Sequence, residues 1–295
     1  MRFAMLVLRF APTPNGRLHL GHAYSALRNA DLAERIGGRL LLRFEDTDSA
    51  RCRPEYEAGI LEDLAWLGVT CEPHPRRQSD HPADYDAAFQ SLSGRGLAYP
   101  CYCTRGQLAA VSGERDPDGA ALHRGPCMAV SSEETRARLA LGDPAAWRLN
   151  LARAAAEVPD ALYWPEFGEG DRETSVRATP RAWGDIVLRG KDRPAVYHLA
   201  VVVDDTLQGV TDVVRGRDLE PSTSVHRLLQ ALLGLPTPRY RHHRLVLDAD
   251  GEKLSKSANS ESLADLRERG VDAAQVRAAL GFGPSVAPPI DVVLS

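Results

Sequence analysis

The first hydrophobic cluster is MLVLRFA, residues 5–11, a short apolar run that predicts a buried strand. The segment APTPNGRLHLGH follows, punctuated by Pro and Gly. Apolar positions then take helical spacing through HAYSALRNADLAERIG and stop at Gly37-Gly38. RLLLRFED reads as the next strand. Strand, loop, helix, strand is a βαβ unit, which implies a parallel sheet with a right-handed crossover. YEAGILEDLAWLG, stopped by Gly68, and DYDAAFQSLSGRG predict two further helices. Residues 100–145 break the pattern: cysteines, glycines and prolines collect, and no long periodic segment is visible. An insertion into the sheet is expected there. The sheet is expected to resume at DIVLRG and at YHLAVVVDDTLQGVTDVVRG, whose β-branched runs suit buried strands. STSVHRLLQALLG predicts another helix, shorter elements follow from Leu235 to about Gly283, and the tail GPSVAPPIDVVLS is a Pro-rich extension. No internal repeat is visible. The expected organisation is a first half of a catalytic α/β domain over 1–99, an inserted subdomain over 100–184, a second half over 185–234, a helical region over 235–283 and a tail over 284–295.

Composition narrows the class. Hydrophobic residues make up 43% and charged residues 26%, enough apolar surface to bury a core in an ordinary globular protein. No apolar stretch reaches the roughly 18 residues of a membrane span, and the apolar start lacks a signal-peptide cleavage pattern. No membrane association is expected. The net charge of −4 weighs weakly against nucleic acid as a partner, without excluding a local basic patch built from Arg76, Arg77, Arg239, Arg241 and Arg244. The five cysteines, an odd number without a secretion signal, read as reduced thiols in a cytoplasmic protein.

Three clusters carry candidate chemistry. His19-Leu20-Gly21-His22 sits where strand one meets a helix, the position at which open α/β sheets bind nucleotides. A helix N-terminus favours phosphate, Gly21 admits close approach, and two imidazoles can donate to a transferring phosphoryl group. Two surface histidines near a helix start would look the same. Lys253-Leu254-Ser255-Lys256-Ser257 follows a DADG turn and could wrap a polyphosphate and stabilise departing pyrophosphate; a solvated charged loop is the plain alternative. Cys101-x-Cys103 with His123-x3-Cys127 offers three thiolates and an imidazole, a closed tetrahedral set for one structural zinc. Its rival is three small buried thiols and an exposed His. Cys52 and Cys71 read as packing residues.

HxGH near the start together with KxSKS far downstream resembles the paired signature of class I aminoacyl-tRNA synthetases. RFAPTPNGRLHLGHA resembles the opening of glutamyl-tRNA synthetases, and LLRFEDTD, LEDLAWLG, AYPCYCT, YHLAVVVDD and VVRGRDL resemble later blocks in the same order, over roughly residues 7 to 280. The resemblance implies a Rossmann-like parallel sheet with a zinc-containing insertion and a small helical C-terminal region. It implies an amino-acid site at Arg9, Phe10, Ala11, Pro12 and Thr13, with Glu45 facing the substrate ammonium and Tyr197 and Arg215 as further L-glutamate contacts. Surface salt bridges for the arginines, a solvated Glu45 paired with Arg43, and a core Tyr197 are the alternatives. It also implies ATP with Mg2+ at His19, Gly21, His22, Lys253, Ser255 and Lys256, with His19, His22 and Lys256 in the catalytic role. In related proteins Tyr can stand where this chain has His123. Full glutamyl-tRNA synthetases continue into anticodon-binding domains, whereas roughly 40 residues follow the lysine loop here, fewer than a domain needs. No such domain is expected. This outline is similar to the glutamyl-Q tRNA(Asp) synthetases, which glutamylate queuosine in the anticodon of tRNA(Asp). A monomer is expected. The alternatives are a truncated glutamyl-tRNA synthetase acting on a tRNA 3′ end, a non-catalytic synthetase-like RNA-binding regulator, and, less well matched, glutamine as substrate.

Overall fold

The structure is a computed structural model, and it describes residues 5–111, 113–123, 127, 130–168, 172–248, 254, 261–284 and 292–295. The expected βαβ opening is formed by β1 (Val7–Phe10), α1 (Leu20–Ile36) and β2 (Arg39–Phe44), with β1 and β2 parallel from Val7–Arg39 to Phe10–Leu42. α1 ends because Gly37 takes a left-handed conformation at φ 61°. α2 (Pro54–Trp66) leads to the two-residue β3 (Arg76–Arg77), parallel to β2, and to α3 (Pro82–Gly94). Both helices start on a Pro, whose missing N–H is no loss at that position.

Next come β4 (Ala98–Cys101), α4 (Arg105–Val111), α5 (Ser132–Ala140), β5 (Ala146–Leu149), α6 (Leu151–Ala156), β6 (Tyr163–Phe167), β7 (Glu173–Arg177) and β8 (Val187–Arg189). α7 (Tyr197–Leu207), β9 (Asp212–Gly216), α8 (Thr223–Leu233) and β10 (Arg239–His243) follow, then β11 (Val246–Leu247), α9 (Leu263–Glu268), α10 (Ala273–Ala279) and β12 (Val293–Leu294). β9 and β10 pair in parallel, and β9 is tied to β1 where Val7 N–H donates to Thr211 Oγ1 (2.8 Å) and Thr211 N–H to the Val7 carbonyl (2.9 Å). One buried cluster packs α1 and α2 with α9 and α10 around β1 and β2; the other packs α3, α7 and α8 around Leu149, Trp164 and Val213. Among the described residues, no helix is long and apolar enough to cross a membrane.

Two expectations need correction. DIVLRG is a strand, but β8 joins an antiparallel sheet of order β4-β5-β8 and does not extend the parallel one. The parallel sheet instead takes up β6, from within the expected insertion, through the Tyr240–Glu166 register. Strand type is local, whereas the choice of partner is tertiary. The run YHLAVVVDDTL is a helix, α7, and only DVVRG of that stretch is a strand. Leu199 through Asp205 are all buried, so no polar face shows the helical period, and β-branched composition then misleads. The helix has a chemical consequence. Asp204 and Asp205, adjacent in sequence, turn to two different sets of partners. Asp204 accepts from Arg76 Nε and Gln78 Nε2, both at 2.7 Å, and from Tyr85 Oη. Asp205 Oδ1 accepts from Arg43 Nη1 at 2.7 Å and Arg9 Nε at 3.1 Å.

Burial would raise the Asp205 carboxyl, but Arg9 and Arg43 outweigh it and hold it below the ordinary value. Its contribution to stability is therefore full above the unfolded-state pKa of about 4 and falls away as pH drops toward the folded-state value. Asp205→Asn leaves two buried guanidinium groups without their shared anion and should cost about 3 kcal/mol at neutral pH. Chemical denaturation of both proteins across pH 7 to 3 checks this, and the gap should narrow toward the acid end.

Candidate active site

The carboxyl ends of β1, β2 and β9 and the amino ends of α1 and α7 enclose a cavity of about 560 Å³. Arg9, Phe10, Ala11, Pro12 and Thr13 form one wall as β1 runs into its loop. Glu45 joins them just past β2, its N–H donating to the Pro12 carbonyl at 3.1 Å. His19, Gly21 and His22 come from the start of α1, Tyr197 is the first residue of α7, and Arg215 lies near the end of β9. All of these sequence-predicted residues thus line one cavity. Lys253, Ser255 and Lys256 lie outside the described residues. Their neighbour Leu254 lines the cavity, with its N–H directed to the Val246 carbonyl at 3.4 Å.

At one end the cavity is ionic. Arg43 is fully buried behind it and donates to Glu45 Oε1 (3.2 Å) as well as to Asp205. Glu45 is thus both a cavity residue and the Arg43 partner that the plain alternative described. Burial pushes its carboxyl above the ordinary range, and Arg43 and Arg9 offset this only in part. A cation arriving in the cavity would supply the rest of the compensation.

Arg215 is 4% exposed, and its described partners are uncharged. Nη1 donates to Tyr197 Oη at 3.0 Å and lies 3.3 Å from His226 Nδ1; Nη2 donates to Thr223 Oγ1 at 2.6 Å and Nε to His242 Nε2 at 3.2 Å. Burial and the Arg215 charge push the pKa of His226 well below its ordinary value; burial lowers His242 likewise. Both are neutral at pH 7. Among the described residues no carboxylate pairs with Arg215. These contacts engage four of the five N–H groups of a guanidinium. One Nη2 proton remains, and Tyr197 keeps its own hydroxyl proton, since burial raises its pKa. Together they can grip one carboxylate. Thr223, His226 and His242, like Arg43 and Asp205, were not among the predicted residues; the YHLAVVVDD block was the only signal for the last.

The histidine pair has a structural duty. His19 is the N-cap of α1, its Nδ1 accepting from Gly21 N–H at 3.1 Å, and His22 Nδ1 accepts from the His19 N–H at 3.2 Å. With Nδ1 accepting, the ring proton of each neutral imidazole sits on Nε2. Gly21 is needed for His19 as much as for any ligand: a Cβ there would lie 2.9 Å from His19 Cε1. The segment after the lysine loop docks on this motif. Ser262 bridges to His19, Leu263 N–H donates to the Leu18 carbonyl at 2.8 Å, and Arg17 pairs with Asp265.

Away from the cavity, one ligand atom each from Cys101, Cys103, His123 and Cys127 lie within 4.8 Å of one another. Cys103 and Cys127 sulfurs are 3.0 Å apart, Cys127 and Cys101 3.4 Å, and His123 Nε2 is 3.5 Å from Cys101 Sγ. His123 turns Nδ1 to Tyr99 Oη (3.2 Å), which donates to Asp185 Oδ2 (2.6 Å). The set fits a metal ion, with a hydrogen-bonded imidazole of the kind that metal ligands use. His123 is 2% exposed, against the exposed His of the rival reading. Of the arginines considered for phosphate contact, Arg76 is taken by Asp204, Arg77 by Glu57 and Arg239 by Asp212, so these serve the fold. Arg241 lies over Phe167, and Arg244 lines the cavity.

A Rossmann-type sheet with a cavity at its carboxyl edge and an HxGH helix start defines a class of nucleotide-using synthetases. Residues 5–282 match the family of class I tRNA synthetases (E and Q), catalytic domain, and the chain belongs to that family. It is similar to the glutamyl-Q tRNA(Asp) synthetase of Rhodobacter capsulatus, at 41% identity over 94% of this chain and 100% of that one. The glutamyl-Q tRNA(Asp) synthetase of Leptothrix cholodnii is 44% identical over 87% of this chain and 83% of its own length. A crystal structure of glutamate-tRNA synthetase from Elizabethkingia anophelis matches with a TM-score of 0.76 at 26% identity, over 95% of this chain; the chain spans 61% of that protein.

His19→Ala should remove the helix cap, costing on the order of 1 kcal/mol in chemical denaturation. The unchanged stability of such a variant would show that His19 does not hold the helix end.

Proposed function

We propose that the cavity binds L-glutamate and ATP, forms glutamyl-adenylate, and passes the glutamyl group to queuosine in the anticodon of tRNA(Asp). The observation that carries this is Arg215, a buried cation facing the cavity with only neutral described partners. Burying an unpaired guanidinium costs several kcal/mol, and a substrate carboxylate recovers it. Glu45, with Arg9 and Arg43 beside it, suits the substrate ammonium. Glutamine has one carboxylate where glutamate has two, and with the α-carboxylate directed to ATP it has none left for Arg215.

In the first step an α-carboxylate oxygen attacks the α-phosphorus of ATP, the bond to the bridging oxygen breaks and pyrophosphate leaves. The protein's work is positioning and charge stabilisation. His19 and His22 can donate from Nε2 to phosphate oxygens, and the start of α1 adds its dipole. Mg2+ bound with ATP would neutralise phosphate charge. Lys256, expected from the resemblance, would stabilise the charge on departing pyrophosphate. In the second step a cyclopentene-diol hydroxyl attacks the adenylate carbonyl carbon and AMP leaves. No side chain acts as a covalent nucleophile.

Cys101, Cys103, Cys127 and His123 Nε2 would hold one zinc ion. Four protein ligands leave no open position, so its role is structural. Elemental analysis should find one zinc per chain, and Cys103→Ala should lose it and unfold at lower denaturant; a metal-free native protein of equal stability contradicts this.

Glutamate-dependent ATP–pyrophosphate exchange, run with and without RNA, tests activation. Arg215→Met should lower kcat/KM for glutamate by about 100-fold or more, the cost of an unpaired buried substrate charge. Labelled glutamate should be acquired by tRNA(Asp) containing queuosine and not by tRNA(Asp) lacking it. Label on a 3′-terminal ribose would sink the modified-base reading, and absence of exchange with any amino acid would leave a regulator.

A further inference from the structure

We propose that Glu166 is a positioning residue for the substrate carboxylate, holding the Arg215 guanidinium in place through His242; this rests on the reading of the cavity as a glutamate site. Glu166 is outside the cavity wall, on β6. The parallel pairing of Tyr240 with Glu166 brings it beside β10, which carries His242. Its Oε1 accepts from the His242 backbone N–H at 2.9 Å. Its Oε2 accepts from Trp164 Nε1 at 3.1 Å and lies 3.0 Å from His242 Nδ1. Burial would raise this carboxyl, but the His242 and Trp164 donors hold it below the usual range.

An ionised carboxylate only accepts, so His242 Nδ1 carries the proton. The imidazole is neutral, which leaves a lone pair on Nε2. That lone pair meets Arg215 Nε–H at 3.2 Å. In the opposite tautomer two N–H donors would face each other there. Glu166 therefore selects the only His242 tautomer that Arg215 can use. The arrangement keeps the acid one imidazole away from the guanidinium. A carboxylate touching Arg215 would occupy the fork that the substrate needs, whereas at this remove it orients the fork and leaves the charge unsatisfied. On the other edge, His226 and then His198, whose Nδ1 is 3.3 Å from His226 Nε2, extend the same neutral surround.

Glu166→Gln offers one acceptor oxygen where the carboxylate had two, and its amide N–H permits either tautomer of His242. In pyrophosphate exchange the KM for glutamate should rise about tenfold, the effect of loosening a charge-assisted hydrogen bond. The KM for ATP and kcat at saturating glutamate should stay within about twofold, since only substrate binding is touched. Discrimination against glutamine should fall, and Glu166→Asp, which keeps the charge, should recover part of the loss. General destabilisation would lower the active fraction and leave both KM values unchanged. Nitrogen-15 NMR of histidine-labelled, unaltered protein should show His242 as the Nδ1–H tautomer, a measurement that does not depend on a variant folding. An unchanged glutamate KM in folded Glu166→Gln, or an Nε2–H His242 in the unaltered protein, overturns the proposal. If the unaltered protein exchanges no glutamate, the reading of the cavity fails instead, and the tautomer still decides the relay.

Discussion

The site depends on one shared anion. Asp205 on α7 accepts from Arg9 at the end of β1 and from Arg43 near the end of β2, and Arg43 passes the connection on to Glu45. These side chains are nearly or wholly out of water, so each charge is costly unless its partners are in place. The network therefore does two things. It ties two strands to a helix far along the chain, and it fixes a cation and an anion side by side in the cavity wall. Arg215 is handled in the opposite way: it is buried among neutral acceptors. One half of the cavity presents a carboxylate, Glu45, that its arginines compensate only in part, and the other a guanidinium with no carboxylate partner among the described residues.

The C-terminal region is fastened to this arrangement through the amino end of α1. His19 caps its own helix and bridges to Ser262, and Arg267 on α9 pairs with the buried Asp63 of α2 at 2.9 Å. Leu254, within the lysine motif, lines the cavity, and Ser262, beyond that motif, is held at the histidine motif.

The cysteine and histidine cluster is secured by backbone geometry. Gly184 sits at φ 62°, ψ −157°, a region open to glycine and hardly to other residues, and a Cβ there would lie 2.5 Å from the His123 carbonyl. That carbonyl accepts from the Asp185 N–H at 2.8 Å, and the Asp185 side chain reaches Tyr99, which faces the His123 ring. Asp185, just ahead of β8, thereby orients a candidate ligand within the expected insertion.

Sequence by itself determined what is local. The βαβ opening, the glycine that ends α1, the Cys-x-Cys and His-x3-Cys spacing and the histidine motif are legible because the residues that act together are neighbours. Arg9, Glu45, Tyr197 and Arg215 were legible only through resemblance, and all four line the cavity. Tertiary structure decided the rest. It made AVVVDD a helix, because burial on every side erases the period that separates helix from strand. It put β8 in an antiparallel sheet and drew β6 into the parallel one. It chose Asp205 for Arg9, His242 for Arg215 and Glu166 for His242, across separations of 196, 27 and 76 residues. A charge or an imidazole in a sequence carries no mark of its partner: the pairing is set by which elements the core brings together, and a hydrophobic pattern records that a face is buried without recording against what.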